Sequence, residues 1–165
     1  MASGPATIQI MGFQVVVALL VAMWTASALY ATQTGLTKQT DPATPAPSTT
    51  WSGVYTEDQV KLGTPLYVKH CAECHGEDFG GDGFAPPLKG AEFLNNWGGL
   101  TVGELFDRIR ISMPPTNPND VTVKEKVEIV AYMLKENGFP AGETELPTTL
   151  DGLRTIKIEP NKPGR

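Results

Sequence analysis

The chain has 165 residues, enough for one domain of ordinary size with tails and too few for two large cores. Its 17 Gly and 14 Pro against 8% aromatic residues favour turns over long regular elements, so a loop-rich fold must be held by something besides its own side chains. A net charge of −5, with no cluster of Lys or Arg, excludes a nucleic-acid footprint, and two cysteines three positions apart exclude a disulfide-dense scaffold.

The first Lys or Arg is Lys38 and the first Asp or Glu is Asp41. Before them, Val15 to Trp24 is an unbroken apolar run, and 13–31 is interrupted only by Gln14, Thr25 and Ser27. That is the length of a signal h-region or a short membrane span. Ala26-Ser27-Ala28 supplies the small-x-small pattern of a cleavage site, whereas an uncleaved anchor through residues 13–31 is the alternative; the run has no Lys or Arg ahead of it to fix its orientation. Residues 1–31 are therefore expected to be a signal peptide or membrane anchor. Either way the remainder is exported, to a periplasmic or other extracytoplasmic location. Residues 32–50 are rich in Thr, Pro, Ala and Ser and lack the apolar content that offsets ordering entropy, which predicts a disordered linker kept extended by Pro42, Pro45 and Pro47.

Three capping boxes follow. Thr56 with Gln59, Thr101 with Glu104 and Thr122 with Glu125 each place a Thr cap three residues before a side chain able to reach back, so each predicts a helix start. The first helix carries Val60, Gly63 and Tyr67 on one stripe, where Gly63 would admit another helix backbone; Pro65 is a misfit there that should kink or split it. The third places Val123, Val127, Val130, Ala131 and Leu134 on one face and stops at Asn137-Gly138 before Pro140. The stretches between have no strand alternation. The expectation is an all-α domain over residues 51–140 with large loops and a thin core, followed by a C-terminal extension at 141–165.

Chemistry concentrates at Cys71-Ala72-Glu73-Cys74-His75. Two thiols at this spacing reach the two vinyl groups of one porphyrin, and the adjacent His takes an axial position on the iron, so C-x-x-C-H reads as an attachment site for one covalent haem c. A C-x-x-C redox pair competes, but no strand pattern precedes Cys71. A structural zinc site would need a further ligand that His70, directly before Cys71, is poorly placed to give.

With these residues the chain resembles small bacterial class I-type cytochromes c with a single haem, similar to the cytochrome domains associated with quinoprotein dehydrogenases. The resemblance runs from about Trp51 to Ile158. It is carried by Gly63 and Leu66-Tyr67, the Cys71–Gly76 run, Ala85-Pro86-Pro87-Leu88, Arg108-Ile109-Arg110, Met113-Pro114-Pro115 and Ile129 to Leu134. It departs from the family at Ala85, where Gly is common, and at Pro65. It implies a cytochrome c-like fold of about three main helices around one haem, with the Pro86 carbonyl receiving the second ring nitrogen of His75. Leu88, Phe93, Leu105 and Ile109 would line the porphyrin and Trp97 would donate to a propionate.

The residues themselves also bear on the second axial ligand. Outside the leader only Met113 and Met133 remain. Met133 falls inside a helix pattern, where Met usually fills space; Met113 follows a helix on a stretch restricted by Pro114 and Pro115. His75 and Met113 are thus the expected metal ligands, and a thioether favours ferrous iron. A five-coordinate iron with Met113 free stays open.

With both axial positions filled and no acid, base or nucleophile constellation elsewhere, the expected function is one-electron transfer and not enzymatic turnover. Partners would be redox proteins, a quinoprotein dehydrogenase on one side and an oxidase or another cytochrome on the other. A haem-based sensor with a labile Met, or the electron-accepting subunit of a dehydrogenase, are the alternatives. Residues 54–140 hold 8 basic and 13 acidic residues, and Glu73, Glu77, Asp78 and Asp82 cluster at the attachment motif, either as solvated decoration or to steer a basic partner. Phe79 and Phe84 bracket Gly80-Gly81-Asp82-Gly83, which with one carboxylate reads as a turn and not a calcium loop.

Overall fold

The computed structural model describes residues 48–164, so the leader expected at 1–31 and the linker up to residue 47 lie outside the described residues. Each of the three capping boxes is formed. Thr56 Oγ1 accepts from Gln59 N and Gln59 Oε1 from Thr56 N, opening α1 (Glu57–His70). After one helical turn, α2 (Ala72–His75), and a short α3 (Gly90–Trp97), the Thr101–Glu104 box opens α4 (Val102–Ser112). Thr122 and Glu125 open α5 (Val123–Glu136). The cap hydrogen bonds hold the Glu104 and Glu125 carboxyls below the ordinary glutamate range. The chain closes with α6 (Leu150–Arg154), capped by Thr149.

The fold is mostly helical and matches the all-α expectation, with α1, α4 and α5 as its long members. It is centred on the packing of α1 against α5. Gly63 is what permits that approach, because a Cβ at this position would sit 2.0 Å from the Glu128 carbonyl oxygen. Val60 and Tyr67 flank it and are buried against Val127, Val130, Ala131 and Leu134 in one core. Val123, expected on that buried face, is exposed instead, at the first position of α5. The helix α1 runs unbroken through Pro65. Lys61 and Pro65 are both exposed, so the carbonyl that loses its helical donor lies on the solvent side, where water can bond to it.

The segment 141–165, expected as an extension, contributes directly to the core through Leu146, Leu153, Ile156 and Ile158. Gln59 binds it in both directions, its amide donating to the Leu146 carbonyl at 3.2 Å and its Oε1 accepting from Leu146 N at 2.9 Å. Two short parallel strands, β1 (Ser48–Thr49) and β2 (Ile156–Lys157), pair Ser48 with Ile156 and Thr49 with Lys157. Trp51 adds an indole hydrogen bond to the Glu159 carbonyl and an edge contact to Phe139. The described fold thus includes the three residues before the boundary expected at residue 51 and continues past 140. No helix among the described residues is long and apolar enough to cross a membrane.

Candidate haem site

The C-terminal end of α1 delivers the cysteines. Cys71 N donates to the Tyr67 carbonyl, and one turn later Cys74 N and His75 N both turn back to the Cys71 carbonyl, at 3.3 and 3.0 Å. Positions three and four apart on a helical turn share a side, so both sulfurs and the imidazole are presented together. Both thiols are free, with Cys74 exposed and Cys71 partly covered.

His75 is buried, and its Nδ1 lies 2.9 Å from the Pro86 carbonyl oxygen. Donation of the Nδ1 proton to that carbonyl leaves Nε2 with a lone pair for a metal. Nε2 has no hydrogen-bond partner among the described residues, and no buried side-chain nitrogen or oxygen there lacks one, so Nε2 opens onto accessible space.

The loop from Gly76 to Ala85 sets this geometry. Gly81 N donates to the His75 carbonyl at 2.8 Å, and Gly81 has φ +74°; a Cβ there would fall 2.4 Å from the Ala85 carbonyl oxygen, beside Pro86. Asp82 Oδ1 accepts from Phe84 N and Ala85 N, which holds its carboxyl below the usual aspartate range. Asp78 Oδ1 accepts from Gly80 N. The segment is a turn built by its own carboxylates. Phe79 and Phe84 part company: Phe79 is fully buried and stacks on Tyr67 with centroids 4.0 Å apart, while Phe84 is wholly exposed.

Leu88 and Trp97 are half-buried and pack against the core, as does Ile109, while Phe93 and Leu105 are buried. The Trp97 indole donates to no described residue. Met113 is half-buried at the C-cap of α4, its N–H on the Ile109 carbonyl, with Pro114 and Pro115 next in the chain. Met133 is buried inside α5 as part of the core.

Three side chains to which the sequence assigned no role at the site support this region. The Tyr67 hydroxyl donates to the Gly76 carbonyl at 2.8 Å, directly after His75. Asn137 donates to the Leu88 carbonyl and accepts from Gly90 N, so the end of α5 fixes the strip after Pro86. Lys126 is buried on α5, and its signal was present in the chain as a lysine whose neighbours at i+3, i+4 and i+7 are Ile129, Val130 and Met133.

The donor set fits a c-type haem: two free thiols on one turn, an oriented imidazole with Nε2 accessible, and a thioether on a proline-restricted loop. Other uses fit less well. Burial, with Cys74 beside it, pushes the Cys71 thiol up to about 11, the opposite of the lowered value of reactive redox cysteines. No group of three or more His, Cys, Asp or Glu among the described residues is arranged to hold a bare metal ion.

Residues 58–133 match the family described as cytochrome C oxidase, cbb3-type, subunit III. The matched stretch includes the Cys71–His75 run, Pro86, Trp97 and Met113 and ends before the C-terminal segment that completes the core. It supports a class I-like c-type cytochrome domain, with the haem-based electron transfer that such a domain performs and the extracytoplasmic setting typical of it. Searches of curated proteins and of solved structures returned no match.

Proposed function

We propose that this protein is a one-electron carrier in which Cys71 and Cys74 form thioethers to a single haem c and His75 and Met113 take its axial positions. The observation that carries the reading is the imidazole of His75, pinned through Nδ1 to the Pro86 carbonyl with Nε2 left accessible beside both thiols. A bound haem c supplies one-electron chemistry at its iron. The chain's part is to hold the ligands: the Pro86 carbonyl fixes ring orientation and raises the basicity of Nε2, and the restricted loop after α4 holds the thioether. Leu88 covers apolar surface, and the indole N–H of Trp97 is a donor for a propionate.

In this reading the leader exports the domain and either is removed or tethers it to the membrane. The donor is an exported or membrane dehydrogenase, of which a quinoprotein is one kind, and the acceptor is a terminal one. The matched family is described as an oxidase subunit, which favours an oxidase on the acceptor side. The test is a pair of variants. Met113→Ala abolishes the weak far-red sulfur-to-iron charge-transfer band of the ferric protein, lowers the potential and lets carbon monoxide bind the ferrous form; Met133→Ala changes none of these. The reverse pattern would reject the ligand assignment, and carbon monoxide binding to the wild type would favour a ligand-binding haem protein over a carrier.

A further inference from the structure

Lys126 is 3% exposed and, among the described residues, forms no ion pair. A buried cation without a counter-charge is costly, and an apolar side chain of similar length would avoid that cost, so the position calls for a physical reason. Its ammonium has two partners, the Pro118 carbonyl at 2.6 Å and the Arg110 carbonyl at 3.2 Å.

Those carbonyls stand on either side of Met113. Arg110 lies in the last turn of α4, where carbonyls have no helical donor and where the helix dipole favours a cation. The neighbouring end carbonyls are already served, that of Arg108 by the Ser112 hydroxyl and that of Ile109 by Met113 N. The guanidinium of Arg110 is turned away onto Asp107. Pro118 begins the 3-10 turn Pro118–Asp120, held from within by Asn117. One ammonium from α5 therefore ties together the two ends of the segment 111–117.

We propose that Lys126 is a positioning residue for the distal ligand: it clamps the Met113 loop at both ends and so sets how readily the thioether leaves the iron. This rests on the reading of Met113 as an axial ligand. Loss of the clamp leaves attachment through Cys71 and Cys74 intact, because neither hydrogen bond of Lys126 falls on α1, on the Cys71–His75 turn or on the loop after it, although the charge of the ammonium reaches the Cys71 thiol; what it frees is the Met113 segment.

The experiment uses the exported haem-containing protein, with Lys126→Met, Lys126→Gln and, as a control on the same helix, the exposed Lys124→Met. Imidazole is the probe, and its displacement of the thioether from ferric iron is timed by loss of the charge-transfer band; the band and the far-ultraviolet circular dichroism are also followed on heating. Displacement should be about tenfold faster in Lys126→Met, the factor that loss of a hydrogen bond to a charged group supplies. The band should fade well before the helices melt. Lys126→Gln, which keeps a donor, should fall between it and the wild type, and Lys124→Met should match the wild type. A wild type without the band would reject the ligand reading. A normal band with unchanged displacement in Lys126→Met would reject the clamp alone. Failure of both Lys126 variants to fold would also overturn the proposal, since Lys126 would then be a requirement of the core and not of the loop.

Discussion

Substituting Gly81 by Ala tests how the fold aims His75. Gly81 has φ +74°, and an added Cβ would lie 2.4 Å from the Ala85 carbonyl oxygen and 3.1 Å from the Pro86 carbonyl carbon. The carbonyl of Ala85 must retreat by about 0.6 Å to reach even the 3.0 Å of a very tight contact, displacing the peptide directly before the one whose Pro86 oxygen receives His75 Nδ1. The left-handed conformation costs Ala about 1–2 kcal/mol, and the overpacking about 1–3 kcal/mol more. Gly83 separates the two effects. Its φ is +92° and a Cβ added there would meet nothing within 4 Å, so Gly83→Ala carries only the conformational cost. The difference between the variants is then about 1–3 kcal/mol, and at roughly 4–8 °C per kcal/mol for a small domain Gly81→Ala should melt at least about 4 °C below Gly83→Ala. Thermal unfolding by circular dichroism measures the gap, and the reduction potential reports the imidazole, which should change in Gly81→Ala alone. Equal melting temperatures with equal potentials would refute the idea that this contact positions the ligand.

Gly63→Ala should destabilise the domain by about 1–3 kcal/mol despite the better helix propensity of Ala, because the new methyl meets the backbone of α5 at Glu128; urea unfolding would show it, and a stabilised variant would contradict the close approach of α1 and α5. For the acidic surface, Glu73 and Glu77 are the positions to reverse, since Asp78 and Asp82 also hold the turn together. With both glutamates changed to Lys, electron transfer with a basic partner protein should slow at low ionic strength, and the wild-type rate should fall as the Debye length shrinks below about 10 Å. Rates indifferent to salt and to the reversals would place docking on another face.

The helices that announce themselves in the sequence are those with reciprocal caps. Thr56, Thr101 and Thr122 each have a Gln or Glu three residues on, and each box is formed. The helix α3 has Lys89 at its N-cap with no side-chain cap bond, and α6 has a Thr cap but Gly152 where a box needs Glu or Gln, so neither carried that signal. The close approach at Gly63 was readable because a glycine on an apolar stripe has few other uses. The involvement of residues 141–158 in the core was not, because their apolar residues are spaced by turns and are buried by partners distant in the chain, such as Gln59 with Leu146. At the site, local spacing pointed to the thiols and His75, which the fold presents on one turn, and restriction by Pro114 and Pro115 singled out Met113 as the proposed ligand. Tyr67 and Asn137 act on the distant carbonyls of Gly76 and Leu88 and leave no short-range pattern, whereas the apolar neighbours of Lys126 mark its burial but not its bond to the Pro118 carbonyl.

Covalent attachment through the paired cysteines underlies the other expectations, and acid–acetone extraction of the purified protein tests it most directly. The colour should stay with the precipitated polypeptide, and Cys71→Ser/Cys74→Ser should yield a colourless, poorly folded chain, since the cofactor supplies much of the core that a domain this small lacks. Release of all the colour into the acetone, or a double variant that is haem-free yet keeps native helix content, would contradict it.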